Sequence, residues 1–199
     1  MLDVVGVEPD AALIDDWRTR VERGLAFLGW EGMGVARVHA DGASLAVAAP
    51  VDQLFTATEL NEWALAASLL ARDPARWAGL EAAMIRDAAE SATPPAIPTV
   101  LDDAAAMTRL KHLSQMEARR DLLALIDAAH GRDLPWILDD EVLTLGAGNG
   151  HIDLPLDALP PVADIRWPSL HDVPTAVVTG SNGKTTTVRL IAACARVHG

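Results

Sequence analysis

Residues 176 to 191 read AVVTGSNGKTTTVRLI, and inside this run Gly180, Ser181, Asn182, Gly183, Lys184, Thr185 and Thr186 are residue types that hold phosphate. Gly180 and Gly183 let the backbone turn sharply and aim its N–H groups inward, and a helix that starts at the end of the turn adds the positive end of its dipole. Lys184 stands where its ammonium reaches the β- and γ-phosphates of a nucleotide. Thr185 is placed to give its hydroxyl to Mg²⁺, and Asn182 either braces the loop or touches a phosphate oxygen. The chemistry such a set supports is handling of the ATP phosphates with Mg²⁺, with Lys184 as the catalytic cation. The spacing is not that of the common loop G-x-x-x-x-G-K-[ST], because its first glycine would fall on Val178; what stands here is the shorter T-G-S-N-G-K-T-T-T.

Two elements must position this loop. TAVVT, residues 175 to 179, is a short β-branched run of the kind that fills a buried parallel strand, and TTTVRLIAACARV opens a helix with Val188, Ile191, Ala192 and Ala195 on one side. Cys194 in that helix reads as a small packed residue.

Upstream, Leu13, Trp17, Val21, Leu25 and Leu28 recur at spacings of four and three, which predicts a helix with one buried face and Asp10 as its N-cap. Two strands follow, GVARVHA and SLAVAAP, with Asp41-Gly42 expected to supply the positive backbone angles of a tight hairpin. TATELNEWALAASLLAR predicts a second helix opened by a capping box of Thr56 and Glu59, with Leu60, Ala64 and Leu69 as its apolar stripe. Asp73 and Pro74 begin a third. Trp17, Trp63 and Trp77 fall on apolar stripes and are assigned to the core.

SATPPAIPT, residues 91 to 99, reads as a linker. Beyond it, Leu101 to His130 is helical with a break near Ser114 to Glu117; Leu122, Leu125, Ile126 and Ala129 form its second apolar face, and Gly131 ends it. LPWIL and EVLTLGAG read as two strands around the corner Asp139-Asp140-Glu141, and LPLDALPPVADIRWPSLHDVP as a proline-rich connector. The resulting fold class is α/β: an α+β N-terminal domain at 1–90, the linker at 91–99, an α/β segment at 100–160, and a β-loop-α nucleotide unit at 161–199.

Composition excludes several functions. The chain has 199 residues, half of them hydrophobic, a formal net charge of −12 and a single cysteine. Sixteen basic residues scattered among twenty-eight acids leave no basic surface for nucleic acid. No apolar run reaches the length of a membrane span, no leader-like N-terminus is visible, and one cysteine suits a reducing compartment, so a cytoplasmic location is expected. His39, His112, His130, His151, His171 and His198 show no metal-ligand spacing. Asp102-Asp103 reads as a helix start and Asp139-Asp140 as a strand turn rather than as Mg²⁺ ligands.

The loop T-G-S-N-G-K-T-T-T resembles the ATP-binding loop of the Mur ligase superfamily, which includes the peptidoglycan amide ligases, folylpolyglutamate synthetase and cyanophycin synthetase. The helix TTTVRLIAACARVHG is similar to the one that follows this loop in cyanophycin-synthetase-type domains. AAHGRDLPWILDDEVLTLGAG resembles the stretch before the ATP-grasp module of that enzyme, and TELNEWALAASLL a helix of its N-terminal domain. Only about thirty residues separate Gly148 from Gly180, so the ATP-grasp module itself is absent from between them.

The resemblance implies an ATP-dependent carboxylate–amine ligase that works through an acyl-phosphate, with an amino acid or peptide-like substrate. It also implies an acidic Mg²⁺ ligand, a histidine, a modified lysine and a closing domain, all expected beyond Gly199. One strand and one helix are too little to form the core of a parallel sheet. The chain is therefore expected to be the N-terminal part of a longer ligase and inactive alone. The alternative is a substrate-binding or docking module with a vestigial nucleotide loop. A GTPase or other phosphotransferase fits less well, because the spacing fails at Val178 and no guanine-reading motif is present.

Overall fold

The computed structural model describes residues 1–6, 10–80, 102–174 and 177–198. The chain is mixed α/β, with antiparallel sheets, and divides into two compact units, Met1–Arg120 and Asp121–Gly199.

In the first unit, strand β1 (Leu2–Val5), helix α1 (Ala11–Leu28), strands β2 (Gly34–His39) and β3 (Gly42–Val47), and helix α2 (Leu54–Arg72) follow in order, and residues 74–80 are helical. Helix α3 (Asp103–Glu117) completes it. The sheet has the order β1-β3-β2, antiparallel throughout. Alternation along the strands turns Val4, Ala43 and Leu45 toward the buried layer, where Trp17, Val21 and Leu25 of α1 meet Leu60, Trp63, Ala64 and Ala67 of α2. Trp17 is fully buried, and its indole Nε1 donates to Asn61 Oδ1 (2.9 Å), while Asn61 Nδ2 donates to the Leu45 carbonyl (3.0 Å). This short polar chain ties α1, α2 and β3 together and satisfies the groups that burial would otherwise leave costly.

Asp10 caps α1 as its position suggests, accepting from Leu13 N at 2.7 Å, and Asp73 does the same for Arg76 N at 3.0 Å. Trp17 and Trp63 are buried, and Trp77 packs against the core. Four expectations change. β1, absent from the sequence reading, pairs with β3, four residues being too few to show a period.

The hairpin turns at residues 40 and 41, and among the described residues neither Asp41 nor Gly42 has a positive φ. Gly42 instead lies in β3 opposite Val5, where an added Cβ would run into the Val4 carbonyl. Glycine is required there by the close approach of β1 rather than by the turn.

The capping box is the third change. Helix α2 begins at Leu54, and Thr56 lies fully buried in its first turn. Its cap comes from α3: the Glu117 carboxylate accepts from Phe55 N (2.7 Å), Thr56 N (2.8 Å) and Thr56 Oγ1 (2.7 Å). Glu59 pairs with Arg109 of α3 rather than bonding back along its own helix. In the reverse direction Asp52, just before α2, accepts from Arg119 N at 2.7 Å, just after α3. The two helix ends are thus tied by bonds in both directions, and Asp103 at the other end of α3 adds ion pairs to Arg23 (2.8 Å) and Arg20 (3.4 Å) of α1.

The fourth change concerns domain limits: these contacts, with Ala106 and Leu110 in the core, place α3 in the first unit rather than with residues 100–160. The linker expected at 91–99 lies outside the described residues.

The second unit holds helix α4 (Arg120–His130), strands β4 (Trp136–Leu138), β5 (Val142–Leu145) and β6 (Ile152–Pro155), and helix α5 (Lys184–His198). The strands form an antiparallel meander, β4-β5-β6. Leu122, Leu125, Ile126 and Ala129 of α4 are buried, as their spacing predicts. Asp139 shapes the first corner, its Oδ1 accepting from Glu141 N (2.9 Å) and Val142 N (2.7 Å). β6 is absent from the sequence reading: its second half, Leu154 and Pro155, falls in the stretch read as a connector, whose prolines mask it; Pro155 is tolerated at the end of an edge strand. At the end of α4 it is Asp133, not Gly131, that takes the left-handed conformation (φ 53°).

Candidate phosphate-binding loop

The loop is built by two backbone positions that only glycine adopts without strain. Gly180 has φ 134° and Gly183 φ 79°, and α5 starts at the next residue. Packing does not demand glycine at either place. An added Cβ at Gly180 would meet nothing nearer than the Asn182 carbonyl at 3.9 Å, and at Gly183 nothing within 4 Å. The conformation of the loop, and the open space above it, account for both residues.

The first bond of α5 runs from Thr187 N to the Gly183 carbonyl (3.0 Å). Lys184, at the first helical position, folds back over the loop. Its Nζ donates to the Gly180 carbonyl and lies 3.5 Å from that of Ser181. The ammonium is therefore held at the loop rather than stretched into solvent. Ser181, Asn182, Thr185 and Thr186 are all exposed. The seven predicted site residues come together in one turn and the start of one helix.

Charge is distributed unevenly around this site. Residues 177 to 198 contain Lys184, Arg189 and Arg196 and no acid, so every one of the twenty-eight carboxylate side chains lies elsewhere in the chain. In a protein of net charge −12 this leaves a locally cationic segment, a favourable setting for an anion.

The elements around the loop differ from expectation. Residues 177–179 form no strand, and Val177 is 83 % exposed; residues 175 and 176 lie outside the described residues. A strand needs a ladder partner, and among the described residues neither of the two antiparallel sheets includes this segment. Likewise α5 keeps its apolar side but buries none of it, with Val188 51 % and Ile191 45 % exposed. Cys194 is exposed rather than packed.

Mg²⁺ is a hard cation that takes oxygen ligands and keeps several waters, needing few groups from the protein besides substrate phosphates. The Thr185 hydroxyl, exposed in the first turn beside the loop, fits that chemistry. Among the described residues no cluster of three or more His, Cys, Asp or Glu could hold a metal by itself.

Two of the histidines make structural contacts. His130 Nε2 lies 2.8 Å from the Trp136 indole N–H, and His171 Nε2 lies 3.1 Å from Asn149 Oδ1. What sequence reasoning missed was the Glu117 and Asp52 exchange. One signal was present, since an acid in the last turn of a helix opposes the helix dipole and points to a partner elsewhere.

Among the described residues no helix is long and apolar enough to cross a membrane. No protein-family model matches the chain, and no curated protein matches it either.

Proposed function

We propose that this chain carries the ATP phosphate loop of a Mur-type, ATP-dependent carboxylate–amine ligase, acting in the cytoplasm. The observation that supports this most is the coincidence of two positive-φ glycines, a helix start and a lysine whose ammonium lies over the turn. In this reading the loop amides and Lys184 grip the β- and γ-phosphates of ATP. A substrate carboxylate oxygen attacks the γ-phosphorus, ADP leaves, and the acyl-phosphate formed is then attacked by an amine to give an amide and phosphate. Lys184 offsets the negative charge that spreads over the transferring group, and the turn keeps it in line. Thr185 would hold Mg²⁺, which when bound supplies further neutralisation of the phosphate charge. The substrate would be an amino acid or peptide-like molecule.

A second reading, a docking or substrate-binding module with a vestigial loop, is favoured by one feature: nothing in residues 177–179 or on the apolar side of α5 is buried. One titration separates them. Mg·ATP binding, followed by calorimetry on the full chain, is expected to weaken about tenfold or more in Lys184→Ala, the loss of a charge-assisted contact. Equal affinity in the two proteins, or no binding by either, would reject the ligase reading in favour of the docking module.

A further inference from the structure

A cleft of about 430 Å³ opens in the first unit, where the end of α2 meets the start of α1, and nothing in the nucleotide reading uses it. Its volume is in the range of small-molecule sites. Leu13 and Leu69, both buried, line it together with two charged walls. One wall is closed on itself: Arg72 Nη1 and Nη2 donate to Asp10 Oδ1 (2.8 Å) and Oδ2 (2.5 Å), and Asp10 also caps α1. The other is not. Arg76 lies with its guanidinium carbon 4.9 Å from the centre of the Trp77 ring, and among the described residues no carboxylate pairs with it. The nearby Asp73 already receives Arg76's own backbone N–H.

We propose that this cleft binds a small organic monocarboxylate with an apolar body. Arg76, steadied on the indole face, presents a fork that matches a carboxylate, and the Trp77 ring with the edges of Leu13 and Leu69 gives the apolar body a narrow contact beside it. With Asp10 neutralised by Arg72, the cleft keeps one acid, Asp73, and one cation, Arg76, which favours a singly charged ligand over a dianion such as a phosphate ester. The site stands on the first unit alone and does not depend on the nucleotide loop.

The test uses N-acetyl-L-leucine and its neutral amide as probes, titrated into the full chain while the Trp77 indole N–H is followed by NMR. Saturable binding of the acid is expected, weakened about tenfold for the amide and about tenfold in Arg76→Gln, as for loss of one charge-assisted contact. Arg76 is exposed, so the substitution leaves the fold intact, and Lys184→Ala is expected to bind the acid as the parent does. Equal affinity for acid and amide, undiminished affinity in Arg76→Gln, or no saturable shift up to about 20 mM acid would overturn the proposal.

Discussion

The first unit and the loop-helix segment at 177–198 are opposite solutions to the same problem of placing apolar residues. In the first unit α1, α2 and α3 turn theirs inward on a sheet, and even the polar groups at the helix ends find partners on a neighbouring element. In the loop-helix segment α5 has a comparable apolar side, yet none of it is buried among the described residues. Amphipathic spacing therefore says which side of a helix can be buried, and a partner decides whether it is. The loop does not share this dependence, because two positive-φ glycines and a helix start are local features.

The contrast can be broken most strongly at the core. Trp17→Ala removes a fully buried indole and orphans Asn61, and is expected to cost about 3–5 kcal/mol in urea unfolding. Glu117→Ala strips the cap from α2 and leaves the buried Thr56 hydroxyl without its acceptor, for about 1–3 kcal/mol in the same measurement. At the other extreme, Ile191→Ala on the apolar side of α5 is expected to stay within about 0.5 kcal/mol of the parent. A cost on the scale of the core substitution would show that α5 is packed in solution and dissolve the contrast. Lys184→Ala should likewise leave the melting temperature unchanged while weakening Mg·ATP binding about tenfold or more, since its contacts are to exposed loop carbonyls.

A smaller effect separates the units by pH. In the first unit the Arg72 guanidinium, and then the Leu13 N–H, hold the Asp10 carboxyl below the usual carboxylate range; in the second the Glu141 and Val142 N–H groups do the same for Asp139. A carboxyl depressed in the folded state adds stability above its unfolded pKa, and that stability is lost as pH falls through the folded one. Asp10→Asn is thus expected to melt slightly below the parent at neutral pH, with the difference vanishing in the acid limb of a melting-temperature profile. A difference that persists at the lowest pH would assign the role of Asp10 to geometry instead of charge.

Legibility in the sequence followed the range of each interaction. Asp10, Asp73 and Asp102 were read as helix starts because a cap bonds within three residues. The hairpin β2-β3 and the buried faces of α1 and α4 were legible because their period repeats locally. Thr56 and Glu59 were misread because their spacing also suits a capping box, and the residues that claim them, Glu117 and Arg109, are sixty-one and fifty positions away. Gly42 was misread for a similar reason, its constraint coming from β1 rather than from the turn beside it.

By itself, then, the sequence determined the helices, their apolar sides, and a glycine-lysine-threonine turn suited to phosphate. Each of these depends on torsions and contacts within a few residues. Only the tertiary structure decided that α3 belongs to the first unit, that Glu117 caps α2 while Asp52 receives the Arg119 N–H, and that α5 and residues 177–179 stay unburied. Those outcomes depend on which surfaces meet, and a meeting between residues dozens of positions apart leaves no period or spacing in the chain.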